Sequence, residues 1–470
     1  MKKTKIIVTV GPNSSDIETL ENMIMQGADV VRINLSHATL NYCDDIITKV
    51  RMLERKLNRP IGIILDTDGP AVRLDRIKEE SATLEEGHEI KLFSYPVICN
   101  NTQISVNYNE LVDELEVGDI LFLSDGTVEL EVLEIANDYA RLLIKKGGLI
   151  KSNQTVHIKN KSLKLPFISE KDREGIMYGI KNNVDFLALS YVRDEQDILD
   201  VTDILIENGN NHINLLAKIE NNDAIMNLEE IAKVSDGLIV ARGDLGIELS
   251  LEKLPFFQKQ ILKVARKYEK TAIVATDFLL SMEESVRPSR SEISDIYNAV
   301  MDKSDAILLS GETTVGNYPV EAVETLSKII LSAEEDFDYK ENLEETYRNI
   351  KNDVTGCIAY SVANSSITLK ASLIAANTNS GYTALKISYF RPICPILGFS
   401  PSIETTRLLT INYGVIPILS NECKSTDTIV NMCIKKAINM FSLVDGEIVI
   451  ITGGFPISNK NTNFMKIEIV

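Results

Sequence analysis

Eight short aliphatic runs punctuate the first two thirds of the chain, at residues 5–10, 30–35, 61–66, 186–190, 214–219, 238–241, 272–276 and 306–309. Runs this apolar and this short, bounded by turn residues, are strands buried on both faces, the situation of a parallel sheet. Between most of them lie amphipathic segments. Ser15-Asp-Ile-Glu18 has the capping-box pattern of a helix start, with a stop near Gly27. Ser169-Glu-Lys-Asp172 opens a second helix toward Asn182, and residues 251–267 carry helical spacing with basic residues gathered near the end, as the helix dipole favours. Strand–helix alternation predicts right-handed crossovers, and eight strands is the number that closes a (β/α)8 TIM barrel.

The alternation breaks once. Over residues 71–165 the pattern becomes short alternating strands such as HEIKLFSY, DILFLSDG and ARLLIKKG. The stretch is too long for a structureless loop in a compact domain. It predicts a small β-barrel domain inserted after the third strand, hinged at Gly69-Pro70 and Pro166 and placed to act as a lid over the strand ends. After the eighth run come a helix over 320–333, an acidic linker EEDFDYKENLEE, and a second α/β pattern with the strands SLIAANT, PICPILGF, GVIPILS and EIVIITGG. The expected domains are therefore a barrel (1–70 and 166–345), the insert (71–165) and a C-terminal α/β domain with a mostly parallel sheet (346–470).

The formal net charge of −19 argues against nucleic-acid or anionic-membrane partners. An anionic substrate would need local positive charge, which singles out Arg32, Arg73 and Lys218. The six cysteines have no zinc-like or disulfide-framework spacing. The basic start MKKTKIIVTVGP turns at Gly11-Pro12, too early for a signal-peptide core, and no run reaches membrane-spanning length, so a cytoplasmic location is expected.

Chemistry concentrates between residues 215 and 246. LLAKIE delivers Lys218 and Glu220 to one strand end, and GLIVARGDLG delivers Arg242, Gly243 and Asp244 to the next. Two carboxylates and a lysine at neighbouring strand ends suit a divalent cation and a phosphate together. The same residues would also make a buried ion pair. A Schiff-base role for Lys218 is disfavoured, because Glu220 beside it keeps the amine protonated.

The blocks TKIIVTVGP, VVRINLSHA, LDTDGP, KLPFISEKD, AKIEN, SDGLIVARGDLGIEL, RPSRSE and LSGETTVGNYP occur in one order along the whole chain. In this the sequence resembles the pyruvate kinase family. The resemblance implies phosphoryl transfer from phosphoenolpyruvate to ADP, giving pyruvate and ATP in glycolysis. It implies Mg²⁺ or Mn²⁺ on Glu220 and Asp244, with Lys218 beside the transferring group and Arg32 on the phosphate. Thr276 would stand near the enolate, and Gly243 and Asp244 would contact the substrate carboxylate. Asn34, Ser36, Asp66 and Thr67 match a K⁺ pocket; Asn34, His37 and Arg73 match the nucleotide side. Thr378, Asn379, Ser380, Gly381 and Thr383 resemble an effector loop for a sugar phosphate or nucleotide, faced by GGFPISNKNTN. RPSRSE resembles a subunit contact, so a homotetramer is implied.

Some positions depart from the family's pattern. Asp68 stands where lysine is common, and Ala71 where glutamate, or lysine in K⁺-independent members, is usual. Asn153-Gln154 replaces an Arg-Lys pair, and Asp277, Leu280 and Thr314-Val315 also differ, while Arg73 and Asp125-Gly126 are kept. The phosphoenolpyruvate and metal half is complete and the nucleotide half has lost cations, each such charged hydrogen bond being worth roughly 1.5–3 kcal/mol. The alternative this raises is a diverged paralogue with weak or altered nucleotide use, binding phosphoenolpyruvate or a sugar phosphate as a regulatory protein.

Overall fold

Strands β1 (Lys5–Thr9), β2 (Val30–Asn34), β3 (Gly62–Asp66), β4 (Phe186–Leu189), β5 (Asn214–Ile219), β6 (Gly237–Ala241), β7 (Thr271–Ala275) and β8 (Ala306–Leu309) form a closed barrel in which every strand pairs in parallel with its sequence neighbours and β8 returns to β1. The structure is a computed structural model that describes residues 1–470 apart from 125, 160, 162, 211, 250, 349–352, 423–424 and 455–460. All eight runs read from the sequence are barrel strands. Their side chains alternate between two cores: Ile7, Ile64, Phe186, Leu216, Ile239 and Ile273 fill the lumen, while Ile6, Val8, Ile63, Leu65 and Leu215 pack outward under the helices. Both faces are buried, which is why the runs are continuous rather than alternating.

The helices follow local signals. Ser169 and Asp172 form a reciprocal capping box at the start of Glu170–Lys181. The first helix, Ile17–Gln26, corrects the sequence reading: its cap is Asp16, whose carboxylate accepts from the Glu18 and Thr19 N–H groups, and not Ser15. A carboxylate one residue later reaches the same orphan donors and suits the helix dipole better. The acidic linker is also more ordered than expected, since Tyr339–Tyr347 is helical.

Between β3 and β4 the chain builds a six-stranded sheet and a two-stranded one around a single apolar core that includes Leu92, Leu121, Leu130 and Leu142. An isolated bridge, Arg73↔Thr155, and a bond from the Leu74 N–H to the Gln154 carbonyl at 2.9 Å draw the entering and leaving segments together. The C-terminal region carries a five-stranded sheet, parallel except for its last strand, Phe464–Ile469. Its Leu408 and Ile411 plug the N-terminal mouth of the barrel, where Gly62 lies so close to Thr410 that an added Cβ would stand 2.4 Å from the hydroxyl. Among the described residues no helix is long and apolar enough to cross a membrane.

Candidate active site

The C-terminal ends of β2, β3, β5, β6 and β7 deliver their polar residues to one place, as parallel barrels do. Asp66, which is 1% exposed, is the hub. Arg32 Nε donates to its Oδ2 at 2.6 Å, Ser190 Oγ to its Oδ1 at 3.0 Å, and Lys218 Nζ lies 3.3 Å from the same oxygen. Arg32 also donates through Nη1 to Thr9 Oγ1 at 2.9 Å, so the guanidinium is gripped from both sides. Burial works against ionising Asp66, but Arg32 and then Lys218 prevail and hold its carboxyl below the usual range.

Lys218 lies 2.9 Å from Glu220 Oε1 and donates to Ser190 Oγ at 2.8 Å. Burial alone would favour the neutral amine, yet Asp66 and Glu220 outweigh it, and the pKa is raised. The amine is therefore a fixed cation and not a nucleophile, in agreement with the sequence. Glu220, 1% exposed, is pushed up to about 7, mainly by burial, with Lys218 opposing and Asp244 adding to the rise. Its Oε2 accepts from the Tyr191 N–H at 2.6 Å, while Oε1 has no properly directed hydrogen bond despite the nearby ammonium. That under-satisfied buried oxygen fits a hard cation. Asp244 lies in the first turn of the helix Arg242–Glu248, close enough to Glu220 for its charge to be felt there. No group of three or more His, Cys, Asp or Glu side chains among the described residues makes a closed metal cage. Two carboxylates with open positions is the arrangement expected where Mg²⁺ is shared with a substrate.

Thr276 follows β7 with φ of 75°, in the left-handed region, and Asp277 continues at 56°. The kink points Thr276 Oγ1 at the Gly243 N–H, which donates to it at 2.8 Å. Arg242 secures the turn by donating to the Thr276 carbonyl, pairing with Asp295 at 2.6 Å and lying 4.0 Å above the Phe278 ring. Arg32, Asp66, Lys218, Glu220, Gly243, Asp244 and Thr276 thus form one constellation.

Around it, Asn34 Oδ1 accepts from the Ser36 N–H at 3.0 Å, and Thr67 is tied to β4 through the Ala188 carbonyl and the Ser190 N–H. Asn34 and Asp66 are register partners, so the four oxygen-bearing residues Asn34, Ser36, Asp66 and Thr67 lie on adjacent strand ends. On the insert side, Asp68 pairs with Arg73 and, at 2.9 Å, with Lys171. Desolvation and then Arg73 lower the pKa of His37, an exposed residue that this places beside the group. Asn153 occupies a turn at φ 61°, and its carbonyl accepts from Arg73. Gln154 Oε1 accepts from Ser124 Oγ at 3.0 Å and the Lys151 N–H at 2.9 Å. Gln154 is thus a structural residue of the insert. Asp125 lies outside the described residues.

Thr378, Asn379, Ser380 and Gly381 follow the C-terminal strand Leu373–Asn377, remote from this constellation on a separate sheet. Gly381 at φ 86° turns the chain into Tyr382–Tyr389, and Thr383 Oγ1 meets Thr462 Oγ1 at 2.8 Å. Most of the facing loop, 455–460, lies outside the described residues.

Sequence reasoning missed Thr9, Ser190 and Tyr191, although the first ends β1 and the others follow β4 directly. The strand-end rule was the available signal; no motif drew attention to them.

A barrel whose strand ends gather a fixed lysine, a clamped arginine and two neighbouring carboxylates defines a class: enzymes of phosphoryl transfer. Comparison with known proteins makes this specific. Residues 1–323 match the family model "Pyruvate kinase, barrel domain", and residues 357–468 match "Pyruvate kinase, alpha/beta domain". Curated relatives named pyruvate kinase include one from Staphylococcus aureus (strain MRSA252), 39% identical over 475 residues, and one from Staphylococcus epidermidis, 39% identical over 473. A relative from Staphylococcus haemolyticus is 38% identical; in each case the match covers 100% of this chain and 81% of the relative. The chain belongs to the pyruvate kinase family, phosphotransferases that act on phosphoenolpyruvate and ADP and generally use Mg²⁺ and K⁺.

Proposed function

We propose that this chain makes pyruvate and ATP from phosphoenolpyruvate and ADP with the constellation centred on Asp66 and Lys218. The observation that carries the proposal is the buried Arg32–Asp66–Lys218–Glu220 network, which gathers two cations, Arg32 and Lys218, on one shared carboxylate. In this reading Arg32 grips the phosphoryl group with its free guanidinium edge, and Lys218, kept protonated, offsets charge on it in a loose transition state. Glu220 and Asp244 would hold Mg²⁺ or Mn²⁺, which would supply positive charge to offset that of the substrate. The Asp244 N–H in the first turn would face the substrate carboxylate, while the Gly243 N–H is given to Thr276 Oγ1, which in this reading lies within reach of the enolate for protonation through water.

Asn34, Ser36, Asp66 and Thr67 supply oxygens for K⁺ in the same reading; with Ala71 in place of a carboxylate, Asp68, which Ser36 touches, adds a further negative charge on that side. Asn34, His37 and Arg73 would face the nucleotide, and Thr378, Asn379, Ser380, Gly381 and Thr383 an anionic effector. A homotetramer, a cytoplasmic location and the division into 1–70 with 166–345, 71–165 and 346–470 complete the proposal. It is tested by pyruvate release from phosphoenolpyruvate with Mg²⁺ and ADP, in K⁺ and in Na⁺: metal-dependent turnover supports it, and phosphoenolpyruvate binding without turnover on ADP or other diphosphates refutes it.

A further inference from the structure

Tyr191 hydrogen-bonds both carboxylates assigned to the divalent cation. Its main-chain N–H donates to Glu220 Oε2 at 2.6 Å, and its hydroxyl donates to Asp244 Oδ1 at 3.1 Å. Both bonds come from one residue because its backbone is left-handed, with φ of 56°. A tyrosine rarely accepts that conformation, and such strain persists only where the surroundings over-determine it. Here the surroundings are specific. Val192 and Leu189 are fully packed on either side, and the ring lies against His157 of the insert at 6.2 Å between centroids. His157 is itself buried and faces Glu248 of the helix that carries Asp244, at 3.7 Å.

The consequence is geometric. Each carboxylate has one oxygen tied to Tyr191, so each is left with the other: Glu220 Oε1, which has no directed hydrogen bond, and Asp244 Oδ2. We propose that Tyr191 is a positioning residue that fixes the rotation of both carboxylates, turning one oxygen of each toward the divalent cation. The role rests on the metal assignment to Glu220 and Asp244 made above. Groups that orient metal ligands in this way typically contribute about 10–100-fold to metal affinity.

The test uses Mn²⁺ alone as the probe, titrated into the full chain without substrate and read by electron paramagnetic resonance of free Mn²⁺. Tyr191→Phe keeps the ring, its contact with His157 and the main-chain donor, and removes only the hydroxyl. The expected result is Mn²⁺ binding about tenfold weaker than in the parent, with an unchanged thermal transition. In turnover, the Mn²⁺ concentration for half-maximal rate rises by the same factor, and raising Mn²⁺ recovers the lost rate, which a merely structural defect does not allow. A Tyr191→Phe titration that superimposes on the parent, or a rate loss that excess Mn²⁺ leaves in place, overturns the positioning role. Glu220→Gln separates the two levels. If it abolishes Mn²⁺ binding while Tyr191→Phe binds normally, only the positioning role falls; if it binds Mn²⁺ like the parent, the metal assignment fails and the role of Tyr191 with it.

Discussion

Asp66→Asn is the substitution with the sharpest consequence. Asp66 is a buried anion shared by Arg32 at 2.6 Å and Lys218 at 3.3 Å, with Ser190 donating to it at 3.0 Å. Asparagine keeps the volume and one acceptor, but removes the charge and aims an amide at a ring of donors. Lys218 retains Glu220, whereas Arg32 keeps only the Thr9 hydroxyl. Removing one member of a buried ion pair costs about 3–5 kcal/mol, because the partner charge stays behind. For a domain of this size that corresponds to a fall of roughly 10 °C in the barrel's thermal transition, at about 2–4 °C per kcal/mol. Freed from Asp66, Arg32 also loses its orientation, so Kd for phosphoenolpyruvate rises more than tenfold. Differential scanning calorimetry with and without phosphoenolpyruvate, run in K⁺ and again in Na⁺, measures both effects. Because both carboxylate oxygens are already engaged by protein donors, most of the loss is expected in either salt. A loss confined to K⁺ would refute the reasoning, since Asp66 would then act chiefly as a ligand of that ion.

Lys218→Met removes the cation beside the transferring group while filling its volume; kcat falls about 10²–10³-fold with a smaller change in the phosphoenolpyruvate Kd, and equal losses in both would count against the transition-state role. Asn153→Arg restores a cation on the nucleotide side and lowers KM for ADP about tenfold, at roughly 1–2 kcal/mol of strain because φ there is 61°; an unchanged KM would mean that this turn does not face the nucleotide. Asp29 is buried, and although burial raises its pKa, Lys2, Lys5 and Arg59 hold it far below the usual value of 3.8. A depressed carboxyl contributes stability that is present above its unfolded pKa and lost as pH falls through the folded one. Asp29→Asn therefore costs about 3–5 kcal/mol at neutral pH, and the gap to the parent closes only well below pH 4 in urea melts.

The barrel was legible because burial on both faces forces continuous apolar runs, and all eight carried that signature. Lys218, Glu220 and Asp244 were legible for a related reason: polar residues that end such runs stand out. What stayed hidden depends on pairing across the fold. Asp66 reads in sequence as one more strand-end oxygen, and only the closure of β2, β3 and β5 makes it the shared anion of Arg32 and Lys218. Tyr191 was missed because its part in the site depends on a left-handed backbone that no tyrosine advertises. The cap at Asp16 was misplaced by one residue because Ser15 fits the same pattern, and local spacing does not rank two adjacent oxygen acceptors. Asp68 looked like a lost cation, whereas it gathers Arg73 and Lys171, contacts 5 and 103 positions away in the chain.

The most direct test of the central claim is single-turnover formation of pyruvate and ATP from phosphoenolpyruvate and ADP with Mg²⁺, comparing the parent chain with Glu220→Gln. The account predicts fast, metal-dependent formation of both products by the parent and a rate lower by several orders of magnitude in the variant. Equal rates for the two proteins, or a parent that binds phosphoenolpyruvate and forms neither product, would contradict it.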